Sequence, residues 1–401
     1  SPPSWHLLSV ARTGHLLRET ATTWPRHATS TAAEVTWQAP PDHTQHGGNL
    51  LGFDHDRLAV PTTHAGRAHL TLVDSTTGQT IWSTRLDGDE ITSVTGNGTD
   101  SMIAVTFSGA LSCLDSTTGE LRWATNLPRS RHGRVLNAPV ITDDGRLIVG
   151  TLDHLTGLSM QTGAELWTTR ALAPVDTLMT YGRGLASGHV VVLPFSGPYR
   201  GLTAVDSGDG TVLWSQTSGP APTSTLTAVP GTDHAVVMRA ESETLECVEL
   251  ATGAMVWRAV VGGKFTTVSA IPTSAGIVVV TGDGTVHVLD TRTGRPLTKS
   301  TQLTNGQSDG WGPYRSTGIG VATDPVAVGG QVVVTTVSGD VWVIDPAGDH
   351  ELVAALGRHV TTRPVPVRND RLAVLTTDAR LDVIACPPRS VSRADGVGAT
   401  T

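Results

Sequence analysis

One pattern, repeated seven times down the chain, constrains the fold more than any other feature of the sequence. In each copy, alternating apolar residues lead to an acidic or polar residue, a few small side chains, a Gly and a short segment carrying Trp. The first copy runs from Leu70 to Asp74, with Gly78 and Trp82; the second runs from Leu111 to Asp115, with Gly119 and Trp123. Others centre on Gly163 with Trp167, Gly210 with Trp214 and Gly253 with Trp257. A sixth, at Asp290 and Gly294, puts Thr298 at the Trp position, and a seventh, at Asp345 and Gly348, puts Leu352 there. The glycines lie 41, 44, 47, 43, 41 and 54 residues apart.

The period-2 alternation within each copy specifies strands, which excludes the helical solenoids of similar repeat length. Composition agrees, with 44 Gly and only 4% aromatic residues. Asp can bond backbone amides in a turn, Gly supplies positive φ, and Trp buries a large ring where a neighbouring repeat can cover it. Upstream of Gly163, Ala138-Pro139-Val140-Ile141 reads as an innermost strand and Arg146 to Val149 as a second. Four strand-like runs per repeat of this length mean propeller blades. The expected fold is all-β, a single eight-bladed β-propeller of four-stranded antiparallel blades.

Seven anchors leave the two chain ends to build the eighth blade. The C-terminal run supplies three strands, near 362–366, 371–376 and 380–385. The expected fourth is Thr13 to Arg18, so that residues 1–19 form a closing strand, 20–47 a connection, 48–386 the blades and 387–401 a flexible tail. In a second arrangement, Trp5 to Val10 supplies the third strand in place of the C-terminal one. Either closure removes exposed sheet edges.

The Asp-x-x-Thr-Gly-x-x-x-Trp signature resembles the tryptophan-docking repeat of the PQQ-type propeller superfamily. Members include quinoprotein dehydrogenases, outer-membrane assembly lipoproteins and sensor domains, so the resemblance implies a fold and leaves function open. The dehydrogenases pair adjacent cysteines beside the cofactor, whereas Cys113, Cys247 and Cys386 lie far apart here. Cys113 and Cys247 take a repeat position held elsewhere by Leu72 or Val288 and read as core; Cys386 reads as an incidental thiol. A PQQ-dependent dehydrogenase is therefore the least favoured reading, and no cofactor is expected.

A net charge of −8 argues against nucleic acid as a partner. No apolar run is long enough for a transmembrane segment. The start, Ser1 to Trp5, lacks the basic and apolar regions of a signal peptide, which favours a cytoplasmic location; an exported mature form would read the same. No metal-ligand spacing, nucleophile elbow, phosphate loop or dinucleotide fingerprint appears.

Function must then sit in loops that depart from the repeat. Arg67, Arg131 and Arg200 fall on one expected face, with His154, Tyr199 and His359 as candidate acid–base groups. The longest interval contains a Gly-rich insertion with Trp311, Tyr314 and Arg315. Together these suggest a ligand-binding face for a protein partner or small organic ligand. The first expectation is a non-catalytic binding scaffold. The alternative is a metal-independent lyase or cyclase of bacterial secondary metabolism, acting at the channel mouth through Arg polarisation and His chemistry.

Overall fold

The computed structural model describes residues 35–39, 43–44, 51–52, 56–127, 138–150, 154–170, 180–181, 184–196, 200–218, 223–239, 244–261, 269–273, 275–281, 284–303, 325–336, 339–356, 360, 364–367, 370–376 and 380–386. They form eight antiparallel sheets and no helix. Blade 1 comprises inner pieces His43–Thr44 and Leu51–Gly52, then Arg57–His64, Arg67–Asp74 and Thr80–Arg85. Blade 2 is Ile91–Gly96, Ser101–Thr106, Ala110–Asp115 and Leu121–Asn126. Blades 3 to 7 repeat that order, and their third strands are His154–Ser159, Arg200–Asp206, Thr244–Glu249, Thr285–Leu289 and Asp340–Ile344.

Blade 8 closes the ring. Its strands Val365–Val367, Arg371–Leu375 and Arg380–Ala385 come from the C-terminal end, and its outer strand is Val35–Gln38. This corrects two expectations. Thr13 to Arg18 does not hold the outer position, because Val35 pairs with Val383 and Trp37 with Leu381, which fills that edge of Arg380–Ala385. Nor does Trp5 to Val10 displace the C-terminal third strand, which pairs with Arg371–Leu375 on its other side. The boundaries of 1–19 and 20–47 fall accordingly, since the closing strand lies inside the segment read as a connection. Residues 1–34 and 387–401 lie outside the described residues.

Neighbouring blades are joined by a repeated contact. The indole of Trp82 donates from Nε1 to the Ser116 carbonyl of the next blade at 3.2 Å. Trp123, Trp167, Trp214 and Trp257 donate to Met160, Ser207, Leu250 and Thr291, each at 2.9 Å. Each ring lies flat on the Gly of the neighbouring turn: a Cβ on Gly119 would sit 2.6 Å from Cδ2 of Trp82. A second bond reinforces the first where Thr84 and Thr169 donate to the Gly119 and Gly210 carbonyls at 2.7 and 2.8 Å.

Two of the blades without a Trp at the docking position show how the contact is replaced. In blade 6, Thr298 faces Gly348 as expected, and Thr301 donates to the Gly348 carbonyl at 3.3 Å. The missing ring volume is met from the opposite side. Trp342 of blade 7 packs with Val286 and Val288 of blade 6 in one buried cluster. In blade 8, Trp37 stands two residues beyond the usual docking position, since it pairs with Leu381 as Thr84 pairs with Leu70. Its Nε1 donates to Thr80 at 3.2 Å.

Removing this contact is expected to cost more than backbone conformation alone. Gly98 and Gly119 have nearly equal φ, +75° and +73°, but nothing lies near a Cβ at Gly98. Gly98→Ala should cost about 1 kcal/mol and Gly119→Ala at least about 2 kcal/mol more, because the indole of Trp82 must move. Trp37→Ala should lose about 3 kcal/mol through the closing blade. Urea denaturation checks all three; equal costs for the two Gly variants would show that the stacking contact contributes nothing.

Candidate functional site

The two faces of the disc differ in regularity. One face carries the turns between third and fourth strands, and in blades 1 to 6 these are copies of one another. The amides of Asp74, Asp115, Ser159, Asp206, Glu249 and Asp290 each donate to the carbonyl five residues on, at 2.8–2.9 Å. Where the first residue is Asp, its carboxylate also takes turn amides, as Asp74 does from Thr76 and Thr77 at 2.8 Å.

The opposite face carries the turns between second and third strands and the connections between blades. Thr106, Thr281, Thr336 and Thr376 end the second strands of blades 2, 6, 7 and 8 and are buried. Each caps its turn: the hydroxyls of Thr106, Thr281 and Thr376 donate to the carbonyls of Ala110, Thr285 and Arg380 at 3.0–3.3 Å. The amide of Asp340 donates to Thr336 at 3.0 Å. In blades 4 and 5 the same position is Phe195 and Arg239, and in blade 1 it is Thr62, inside a hairpin that runs two residues further. Connections on this face run in length from residues 219–222 between blades 4 and 5 to residues 303–325 between blades 6 and 7. The sequence showed no single signal for this asymmetry, because each Thr cap reads alone as an ordinary strand residue.

Blade 1 departs furthest among the described turns. Its second and third strands are eight residues each and meet in a two-residue turn, Ala65-Gly66. Both turn residues have positive φ, 46° and 71°, the conformation that matches strand twist in a tight hairpin. The register then aligns His64 with Arg67, and Thr62 with His69 and His69 with Arg85. Directly paired and next-but-one residues share a sheet face. His64, Arg67, His69 and Arg85 therefore lie on one face, and the rings of His64 and His69 meet edge to face at 5.8 Å. Arg67 and Arg85 are exposed; His64 and His69 are half-buried.

The sequence-predicted site residues divide sharply. Arg67 stands on the irregular face as expected. His154 is the first residue of its strand, half-buried, and pairs with Arg170 as His69 pairs with Arg85. Arg200 begins the third strand of blade 4 and pairs with Ser218. Arg131, Tyr199, Trp311, Tyr314, Arg315 and His359 lie outside the described residues. His64, His69 and Arg85 complete the blade 1 row; of these, the sequence analysis had no means to join His69 and Arg85, which only the strand register brings together.

Other chemically notable groups have structural partners. Burial holds the thiols of Cys113 and Cys247 up at about 11 and that of Cys386 up to about 12. Cys386 is not incidental: it is buried among Val360, Leu372 and Ile384, and its amide donates to Asp370 at 2.6 Å. The Arg122 guanidinium donates to Asp100 at 2.7 Å and Asp115 at 2.6 Å. That bond, helped by the amides of Thr118 and Thr117, holds the Asp115 carboxyl down at about 2. Glu246, 3% exposed, accepts from both Nε and Nη2 of Arg258 at 2.9 and 2.6 Å. The same rung carries Thr71 with Ser83 in blade 1 and Thr156 with Thr168 in blade 3. Among the described residues, no group of three His, Cys, Asp or Glu side chains could hold a metal ion.

The profile of the family described as Outer membrane protein assembly factor BamB matches residues 66–225 and 200–380. Similar solved structures include BamB from Moraxella catarrhalis, 18% identical, covering 88% of this chain and 100% of that one, with a TM-score of 0.62. The computationally designed Ika8 protein is 15% identical over 88% of this chain and 99% of its own, with a TM-score of 0.66. Sqt1 of Saccharomyces cerevisiae is 12% identical over 90% and 100%, also with a TM-score of 0.66. At these identities the structural likeness carries the fold alone. No curated protein matches the sequence significantly.

Two outcomes test the structural assignments. Native chain at mildly alkaline pH should resist a thiol-reactive chromophore, and all three thiols should react after unfolding; rapid labelling of folded protein would contradict their burial. Arg258→Ala should destabilise by about 2 kcal/mol, because it takes two donors from the buried Glu246 carboxylate. The double variant Glu246→Thr with Arg258→Thr should recover most of that loss, as the rung of blade 3 already shows a Thr pair. Chemical denaturation separates the two.

Proposed function

The chain belongs to the PQQ-repeat propeller family described as outer membrane protein assembly factor BamB, and from that premise we propose that it is a non-catalytic binding scaffold for a protein partner. The observation that carries this reading is the contrast between faces. Six copies of one turn line one side, whereas the other side varies in turn type and connection length. A rigid framework that repeats everywhere except on one face is how scaffolds present recognition loops. The irregular face is therefore the proposed docking face, with Arg67, Arg131, Arg200, Trp311, Tyr314 and Arg315 as its proposed contact residues. Aromatic and Arg side chains are the types that dominate protein interfaces.

The reading is tested by placing a photo-crosslinking side chain at Arg67 on the irregular face, at Arg131 in the sequence between blades 2 and 3, and at Glu120 on the regular face. In the native host, discrete adducts are expected from the first two positions and none from Glu120. Adducts from Glu120 alone, or equal smears from all three, would overturn it.

A further inference from the structure

We propose that the basic row at the end of blade 1 docks an extended, acidic segment of the protein partner. The proposal rests on the binding-scaffold reading and assigns its partner chemistry. Four residues carry it: His64, Arg67, His69 and Arg85, placed on one sheet face by the strand register.

That face looks toward blade 8. Leu58 and Val60, which alternate in step with Thr62 and His64, pack with Leu375, Leu381, Val383 and Trp37 of blade 8. The basic residues thus stand at the mouth of the crevice between the first and last blades, above an apolar floor. Ala39, 3% exposed, belongs to that floor.

In a chain of net charge −8, a row of two exposed arginines and two histidines is a local reversal of sign. Among the described residues, neither Arg67 nor Arg85 makes an ion pair or hydrogen bond. Contrast Arg122, Arg258 and Arg380, each of which is folded onto a carboxylate. Among the described residues, the acids next in sequence to Arg85 belong to the other side of the blade. Leu86 packs into the cluster between blades 1 and 2, so the connection holding Asp87, Asp89 and Glu90 leaves away from the crevice. Asp89 is further occupied by the Ser108 amide at 3.2 Å.

Spacing selects the shape of the ligand. Arg67 and His69 are two residues apart on one strand, and Arg85 lies directly across from His69. Along the strand axis the two guanidinium positions are therefore offset by about 7 Å, the repeat of alternate side chains in an extended chain. Carboxylates at alternate positions of an extended peptide meet both arginines, whereas a helix would present its neighbours at i and i+4. Arg is suited to this because its planar fork bonds carboxylate in two places.

The test is fluorescence anisotropy of the full chain with a labelled peptide of alternating Glu and Thr, at low and physiological salt. A Gln–Thr peptide is the control. Binding is expected only for the acidic peptide and is expected to weaken with salt. Arg67→Ala and Arg85→Ala should each weaken it about tenfold without changing the melting temperature. Arg292→Ala, in a turn of the regular face, should leave it unchanged. Equal binding of the neutral peptide would overturn the proposal, as would indifference to both blade 1 substitutions. Displacement by millimolar inorganic phosphate at constant ionic strength would overturn it too, since the row would then be a small-anion site. Failure here with crosslinks retained at Arg131 sinks the basic row and leaves the scaffold; loss of crosslinks at both Arg67 and Arg131 sinks the scaffold itself.

Discussion

The contact on which the rest depends is an indole laid flat on a glycine of the neighbouring blade. It joins two requirements that a propeller must meet at once. Twisted sheets have to be held at a fixed angle around the axis, and the outer strand of each blade has to be anchored although its far edge is free. Trp82 and its four full counterparts meet both by burying a ring between blades while donating one hydrogen bond to the next turn. Gly is required opposite because any side chain would occupy the plane of the ring. The shared turn geometry of blades 1 to 6 follows from preserving that plane.

In two of the blades that lack the contact, a Trp is supplied from elsewhere. Blade 6 has Thr298 at the docking position, and Trp342 fills the same interblade layer from blade 7. Blade 8 takes its Trp two residues late, on a strand from the other end of the chain. The closing blade thereby ties residues 35–38 to 380–385, and the ring has no open edge between its ends.

This also explains what the sequence disclosed and what it concealed. The blades were legible because Asp, Gly and Trp recur at fixed spacing, and each has a local physical role that survives without an alignment. The outer strand of blade 8 was misplaced because Trp37 is preceded by no Asp and Gly anchor, whereas Thr13-Gly14 mimics one. Trp342 was invisible as a docking substitute because it sits in a third strand, where the pattern asks only for an apolar residue. The basic row was partly visible: Arg67 and His64 flank a turn, and that much is local. Joining them to His69 and Arg85 required the register of three strands, which two turns and a bulge set and sequence spacing alone does not.

The same division bears on how such a disc acquires function. Residues that hold blades together are pinned by the ring contact and by capped turns, so little can vary there without loss of stability. The hairpin of blade 1 escapes this constraint because lengthening both strands by equal amounts keeps their pairing and leaves the docking position of Trp82 untouched. Its extra rungs carry Arg67 beyond the apolar layer, while Arg85 ends the adjoining fourth strand, and neither has a carboxylate to neutralise it among the described residues. Elsewhere on the chain a charge that approaches the core is paired, as Glu246 is with Arg258. Cations left unpaired on a rigid hairpin keep their full attraction for an incoming carboxylate, and that is the physical sense in which the irregular face is free to bind.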